Sequence, residues 1–156
     1  MTGSTELAAA RAGALDLITH VLLRCGGRPD GSLVVVMFSG SEDVADDAPL
    51  VVVDLSHAAG GETSFQVVQR LRQAVTDAGA ERVGLIAFDS DLSQMGVITG
   101  TVAIALGLPA QRLLVAEDIW LDADRMSVTG STSQVAASRA AVSAVLEGVA
   151  LPGGAA

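Results

Sequence analysis

Three residue types are missing from this 156-residue chain, which contains no lysine, no tyrosine and no asparagine. Without lysine, the chain has neither the phosphate-binding loop of Walker A type nor the Schiff-base lysine of pyridoxal phosphate enzymes. Without tyrosine it has no phenolic acid or nucleophile, and without asparagine it has no acceptor for N-glycosylation. These absences exclude several classes of nucleotide and cofactor enzymes.

Cysteine and aromatic residues are also scarce. Cys25 is the only cysteine, so the chain forms no internal disulfide and has no cysteine pair for zinc or redox chemistry. Its apolar surroundings at the end of a predicted helix indicate a small buried side chain. Half of the residues are hydrophobic, but only one tryptophan and three phenylalanines are aromatic. The sequence therefore predicts a core built from valine, leucine, isoleucine and alanine.

Basic residues are outnumbered by acidic ones, nine to eighteen, and the net charge is −9. Nucleic acids and anionic membranes bind clustered basic residues, so neither is an expected partner. The N-terminus does not show a basic region followed by an apolar stretch. The uncharged window at residues 92–111 is too rich in glycine and polar residues for a membrane span. We expect a cytoplasmic protein that does not insert into membranes.

Two periodicities of apolar residues separate predicted helices from predicted strands. Helical spacing occurs in four segments: residues 5–24, 63–78, 94–106 and 132–149. Five further segments are apolar runs or short β-like stretches: residues 32–38, 50–55, 82–88, 112–116 and 125–128. The fourth of these segments can continue to residue 121. The run at 32–38 is too continuous for a half-exposed strand, and the run at 82–88 also predicts a buried strand. We expect residues 125–128 to form a short edge strand.

The order of these elements predicts one α/β domain over residues 1–150, followed by a disordered tail at 151–156. The link between the first two strands is acidic and contains no helix, so we expect these strands to pair antiparallel. The later strands alternate with helices, which predicts right-handed crossovers between parallel strands. The expected architecture is a mixed, mostly parallel sheet of about five strands with helices packed over it.

The turn between the first helix and the first strand carries a family resemblance. Gly26, Arg28-Pro29 and Ser32-Leu33-Val34 resemble the G-F-x-P-x-x-S-L-V signature of a domain of unknown function found mainly in actinobacteria. Asp54-Leu55 is similar to that family's Asp-Leu pair, whereas Gly27 stands where the family usually has phenylalanine. The resemblance implies a small α/β fold and an actinobacterial or phage origin, and it implies no established activity.

Titratable residues follow the predicted strands. Asp54 and His57 follow the second strand, Asp89 and Asp91 the third, and Glu117 the fourth. Open α/β sheets bind ligands at the carboxyl ends of their strands, so we expect these five residues around one pocket. His57 is the residue of the five that titrates closest to neutral pH. Carboxylates are the ligands that Mg²⁺ prefers, so magnesium is the one cofactor that this rim suggests.

Two interpretations of these acids stay open. The sequence Asp89-Ser90-Asp91 after an apolar strand resembles the start of haloacid-dehalogenase-type phosphatases, in which one Asp attacks phosphorus and the other moves a proton beside Mg²⁺. However, Leu92-Ser93 stands where that pattern has Gly-Thr. In the other interpretation, Asp91 or Ser93 caps the next helix and the helix dipole stabilises Asp89.

The function predicted from these features is a non-catalytic one, in which the chain associates with itself or binds a protein partner. The mean hydropathy of +0.50 indicates more apolar surface than a monomer buries, so we expect a homo-oligomer. The alternative is a small-molecule or Mg²⁺-dependent enzyme, similar to a phosphatase, that uses the acids at the carboxyl edge. Whether the chain is an enzyme is open from the sequence alone.

Overall fold

A sheet of six strands lies between helices that pack on both of its faces. The computed structural model describes residues 2–39, 48–58 and 61–133. Its elements follow one another as α1 (Thr2–Cys25), β1 (Ser32–Phe38), β2 (Leu50–Asp54), α2 (Leu55–Ala58), α3 (Gly61–Asp77), β3 (Arg82–Phe88), α4 (Leu92–Leu106), β4 (Ala110–Ala116), β5 (Ile119–Asp122) and β6 (Thr129–Ser131). Residues 134–149 of the predicted last helix and the tail at 151–156 lie outside the described residues.

The strand order in the sheet is β2-β1-β3-β4-β5-β6. β1 pairs antiparallel with both β2 and β3, and β5 pairs antiparallel with both β4 and β6. Among the described strands, only β3 and β4 pair parallel. The α/β class and the antiparallel β1–β2 pair are therefore confirmed. The prediction of a mostly parallel sheet of about five strands is wrong, because the sheet is mostly antiparallel and has six strands.

The position of β1 is the reason for this difference. A helix between two strands indicates that the strands run in the same direction, but it does not make them neighbours. β2 and β3 do run in the same direction, because each is antiparallel to β1. β1 lies between them and pairs with β3 along its whole length, from Ser32 opposite Phe88 to Phe38 opposite Arg82. The strands before and after α3 are thus separated by one strand.

The end of the sheet differs from the prediction as well. Glu117 has a φ of 54°, in the left-handed region, and this turn separates β4 from β5. A second turn follows β5, where Asp122 Oδ1 accepts hydrogen bonds from the backbone N–H groups of Asp124 (2.8 Å) and Arg125 (3.0 Å). The last described strand is β6, and the predicted edge strand over 125–128 is wrong.

β1 and β3 are covered on both faces, which explains their uninterrupted apolar sequences. Successive side chains of β1 point to opposite faces. Leu33 and Val35 belong to the core beneath α3 and α4, whereas Val34 and Val36 belong to the core beneath α1. Gly84 in β3 allows α1 to pack closely, because a Cβ atom there would lie 2.8 Å from a Leu17 methyl group.

The turn between α1 and β1 is fixed against the end of β3. The Ser32 N–H donates to the Pro29 carbonyl (3.2 Å), and the Gly31 N–H donates to the Phe88 carbonyl (2.6 Å). Gly31 has a φ of 76°, which glycine adopts without steric cost. These bonds bring Asp30, before β1, beside Asp89, after β3.

Candidate functional site

The carboxyl ends of three strands meet at one edge of the sheet. β2 and β4 run in the same direction as β3, and the start of β1 lies between the ends of β2 and β3. Asp54 is the last residue of β2, Asp89 follows β3 directly, and Glu117 follows β4 directly. The structure therefore places these three predicted residues at the same edge, although β2 and β3 are not the neighbours that the sequence suggested.

Two cavities adjoin at this edge, which we call the β2-side and the β4-side cavity. The β2-side cavity has a volume of about 300 Å³ and is lined by Asp30, Gly31, Ser32, Asp54, Leu55, Ser56, Asp89 and Gln94. The β4-side cavity has a volume of about 410 Å³ and is lined by Arg28, Asp30, Asp89, Ser90, Glu117 and Asp118. Asp30 and Asp89 line both cavities, so they mark the boundary between them.

The carboxylates of Asp54 and Asp89 accept hydrogen bonds from residues that follow them closely in the chain. Asp54 Oδ1 accepts hydrogen bonds from the N–H (2.8 Å) and the hydroxyl (2.6 Å) of Ser56, at the start of α2. Asp89 Oδ1 accepts one from the N–H of Ser90 (2.8 Å), and the Asp89 N–H donates to the carbonyl of Val115 (3.1 Å). Such bonds are typical of helix starts and turns, and they tie both residues to the ends of their strands.

Asp91 caps α4. Its Oδ1 accepts a hydrogen bond from the backbone N–H of Gln94 (3.0 Å), and its backbone is extended, as an N-cap requires. Asp91 is not among the residues that line either cavity. The structure thus supports the capping interpretation for Asp91 and separates it from Asp89, with which the phosphatase pattern would group it.

Arg28 is a basic residue at this acidic edge that the sequence reasoning missed. Its Nε donates to Asp30 Oδ1 (2.9 Å), and one terminal nitrogen donates to the backbone carbonyl of Glu117 (2.6 Å). Arg28 therefore links the turn before β1 to the turn after β4. Both Arg28 and Asp30 lie in the turn that carries the family resemblance, but their place at this edge depends on the β1–β3 pairing.

His57 belongs to α2 by its backbone, and its side chain lies outside what the structure describes. Across residues 2–39, 48–58 and 61–133, no group of three or more His, Cys, Asp or Glu residues has the arrangement of a metal site. A magnesium site at this edge stays a prediction.

A second surface stands out on α4. This helix contains no Asp, Glu, Lys or Arg, whereas α1 and α3 contain residues of both signs. Met95, Ile98 and Val102 point into the core, but Val97 and Ile104 on the other side are 69% and 85% exposed. Thr101 lies between those two and is also exposed. We call Val97, Thr101 and Ile104 the α4 face.

Gly100 has a structural role beside this face. A Cβ atom at Gly100 would lie 2.8 Å from a terminal nitrogen of Arg112, whose side chain passes beneath the helix from β4. That nitrogen donates to the Gly96 carbonyl (3.1 Å). The guanidinium also binds Asp124 through two hydrogen bonds, of 2.9 and 3.2 Å. Gly96 and Gly100 have the GxxxG spacing that favours dimerisation in a membrane helix. Here Gly100 makes room for an arginine that is paired with an acid.

Within the described ranges, no helix combines the length and the apolar character that crossing a bilayer requires.

Comparisons of this chain with protein-family models, with curated proteins and with solved structures find no match. The resemblance to the actinobacterial domain therefore stays a prediction based on the quoted residues. The assignment of a function depends on the geometry of this chain.

Proposed function

We propose that this chain is a non-catalytic protein that acts by binding a protein surface, and that it binds through the α4 face. The observation that carries the proposal is the exposure of Val97 and Ile104 on a helix without a charged residue. Surface helices of globular proteins normally carry charged and polar residues on the side that faces water. The outer side of α4 instead combines Val97 and Ile104 with uncharged polar residues such as Thr101. A helix whose outer side has exposed apolar residues and no charge is typical of one that packs against another surface.

The energetics of burial favour the same function. Fully burying a valine or isoleucine side chain is worth roughly 1.5–3 kcal/mol. Val97 and Ile104 lie seven residues apart, which is two helical turns, so one flat partner surface contacts both. The face also meets the usual composition of an interface core, in which charged residues are depleted.

The carboxyl edge supports catalysis less well than the α4 face supports binding. One oxygen each of Asp54 and Asp89 already accepts a hydrogen bond at the end of its strand, and Asp91 serves as a helix cap. The basic group at this edge, Arg28, is held by Asp30 and by the Glu117 carbonyl. These contacts give each residue a structural role, so a catalytic role is not needed to account for its position.

The proposal is tested by photo-crosslinking in cells that make the full chain. A photoreactive phenylalanine analogue replaces Ile104 in one variant and Gln69, an exposed residue of α3, in the control. Because a partner on the α4 face would cover position 104, we expect protein adducts from that position after illumination and none from position 69. The readout is the shift in mass on a denaturing gel.

Equal crosslinking from the two positions, or no adduct from position 104, would contradict the proposal. Circular dichroism of both purified variants checks that each retains the fold. Both positions are exposed, so neither replacement removes a core contact.

A further inference from the structure

We infer that the partner on the α4 face is a different protein with a basic contact surface, and that it inserts an arginine or lysine side chain into a cavity beside this face. The cavity has a volume of about 370 Å³ and is lined by Gly100, Ala103, Ile104, Leu108, Ala110, Arg112 and Asp124. We call it the Asp124 cavity. Ile104 belongs both to the α4 face and to this cavity, so a partner on the face reaches the cavity. The inference rests on the proposed function, because it names the chemistry of the partner of the same surface.

The walls of the Asp124 cavity suit the aliphatic part of a long basic side chain. Five of the seven lining residues are glycine, alanine, leucine or isoleucine. Ala103, Leu108 and Ala110 are half-buried, and Ile104 is exposed. Arginine and lysine lay their methylene groups along apolar surface while the charged group stays in contact with water or with a carboxylate. The cavity offers both the apolar wall and the carboxylate.

The charge that a partner meets at this cavity is the carboxylate of Asp124. Arg112 and Asp124 form an ion pair of 2.9 Å, but the Arg112 side chain is only 16% exposed and the Asp124 side chain is 57% exposed. Each Asp124 oxygen accepts one hydrogen bond from Arg112, at 2.9 and 3.2 Å. A carboxylate has about four acceptor positions in total, so Asp124 can accept further hydrogen bonds from a second cation.

The end of α4 adds negative charge at the same place. The cavity follows the second half of the helix, from Gly100 to Leu108, which lies just beyond the helix end. The last carbonyl groups of a helix carry a partial negative charge that favours cations. The last turn of α4 contains no basic residue that would offset this charge. Arg125, which follows Asp124 in the chain, is exposed but does not line the cavity.

The net charge of the chain favours a basic partner at longer range. With 18 acidic and nine basic residues, the chain attracts positively charged proteins and repels acidic ones, a second copy of itself included. α4 itself carries no charge, so nothing on the helix opposes the approach of a basic surface. Apolar contact with Val97 and Ile104 and a basic side chain at Asp124 then belong to one interface.

Titration of the purified full chain with an arginine side-chain analogue tests the chemistry of the cavity. Propylguanidinium is the probe, and propylurea is a neutral molecule of nearly the same shape. In amide NMR spectra at constant ionic strength, propylguanidinium should shift the signals of Ile104, Ala110 and Asp124 with a dissociation constant on the order of 10 mM. Propylurea should bind about tenfold more weakly or less, because it lacks the charge that Asp124 attracts.

Two variants separate the contributions of charge and apolar wall. Asp124→Asn keeps an acceptor oxygen for Arg112 but removes the charge, so it should weaken propylguanidinium binding by about tenfold or more. Ile104→Ala removes part of the apolar wall and should weaken it several-fold. Asp77→Asn is the matched control: it removes the same charge from α3, outside the cavity, keeps an acceptor for the Gln73 side chain, and should leave binding unchanged. The dispersion of the amide signals checks that each variant keeps the fold.

Three results of the titration would overturn the inference: equal binding of propylguanidinium and propylurea, shifts confined to residues outside the cavity, or wild-type binding by Asp124→Asn. Shifts that centre on the cavity and need both Asp124 and the charge of the probe support it.

Photo-crosslinking in cells connects the cavity to the partner. The photoreactive residue is placed at Val97, which lies on the α4 face but does not line the cavity. We expect Asp124→Asn to lower the yield of the adduct several-fold and Asp77→Asn to leave it unchanged. An undiminished adduct in Asp124→Asn overturns the basic side chain but keeps the α4 face as a binding surface, and so does an adduct between two copies of the chain. No adduct from position 97 or 104 overturns both proposals.

Discussion

Three aspartates at the carboxyl edge of the sheet have a hydrogen-bond partner in the adjacent backbone. Asp54, Asp89 and Asp91 accept from Ser56, Ser90 and Gln94, each within three residues along the chain. Bonds of this kind stabilise helix starts and turns whether or not a ligand is present. At the scale of the residue, these acids are therefore explained by local structure.

The one cysteine provides a prediction at this scale. Burial raises the pKa of the Cys25 thiol, and the neighbouring Arg24 lowers it by less. The thiolate is the reactive form, so the folded chain should hold Cys25 protonated to higher pH than the unfolded chain does. We expect the pH–rate profile of alkylation by iodoacetamide to have its midpoint at higher pH in buffer than in urea.

Because Cys25 is the only cysteine, the modified fraction reports on this thiol alone. A midpoint lower in buffer than in urea would mean that Arg24, and not burial, controls the pKa of this thiol.

At the scale of the element, α4 has two different sides and two defined ends. Its inner side packs on β3 and β4 through Met95, Ile98 and Val102. Asp91 starts it, and Gly107, with a φ of 68°, ends it by donating its N–H to the Ala103 carbonyl (3.2 Å). The beginning and the end of this helix were readable from residue types, since acids at N-caps and glycine after the last turn are common signals.

The N-cap of α4 gives the prediction for this element. Asp91→Ala removes the acceptor for the Gln94 N–H and should lower the free energy of unfolding by about 1 kcal/mol. Asp91→Asn keeps an acceptor oxygen and should cost only a few tenths of a kcal/mol. Urea denaturation followed by circular dichroism measures both.

If Asp91→Asn proves as destabilising as Asp91→Ala, the carboxylate acts through its charge and the capping account fails. In that case an interaction of Asp91 with the helix dipole or with a cation would need testing next.

At the scale of the whole molecule, one strand decides which residues are neighbours. β1 lies between β2 and β3, so Asp30 comes to lie between Asp54 and Asp89 in the β2-side cavity. The sequence placed Asp54, Asp89 and Glu117 after consecutive strands, and all three do lie at one edge. It did not identify Arg28 or Asp30, because their positions depend on contacts between segments that are far apart in the chain.

Ligand binding to the folded state raises the melting temperature, which gives a prediction for the whole molecule. If the proposed non-catalytic function is correct, the melting temperature in about 10 mM MgCl₂ should equal that in NaCl of the same ionic strength. The NaCl control is needed because any salt screens the net charge of −9. Differential scanning fluorimetry provides the measurement.

A rise of several degrees in magnesium that disappears in Asp54→Asn/Asp89→Asn would instead support the magnesium-dependent alternative. Asn keeps the hydrogen-bond acceptor at both positions, so this double variant removes charge without removing the bonds to Ser56 and Ser90.

The sequence by itself determined the α/β class, the antiparallel β1–β2 pair and the approximate extent of α1, α3, α4 and the buried strands. It could do so because the spacing of apolar residues, the helix caps and the turn residues act over short distances along the chain. It also showed that the segment now seen as α4 is uncharged.

Tertiary structure alone decided the strand order, whether most strand pairs are parallel or antiparallel, and which side of α4 stays exposed. Those features depend on long-range pairing and packing, in which strands of similar apolar composition, such as β1 and β3, compete for the same neighbours.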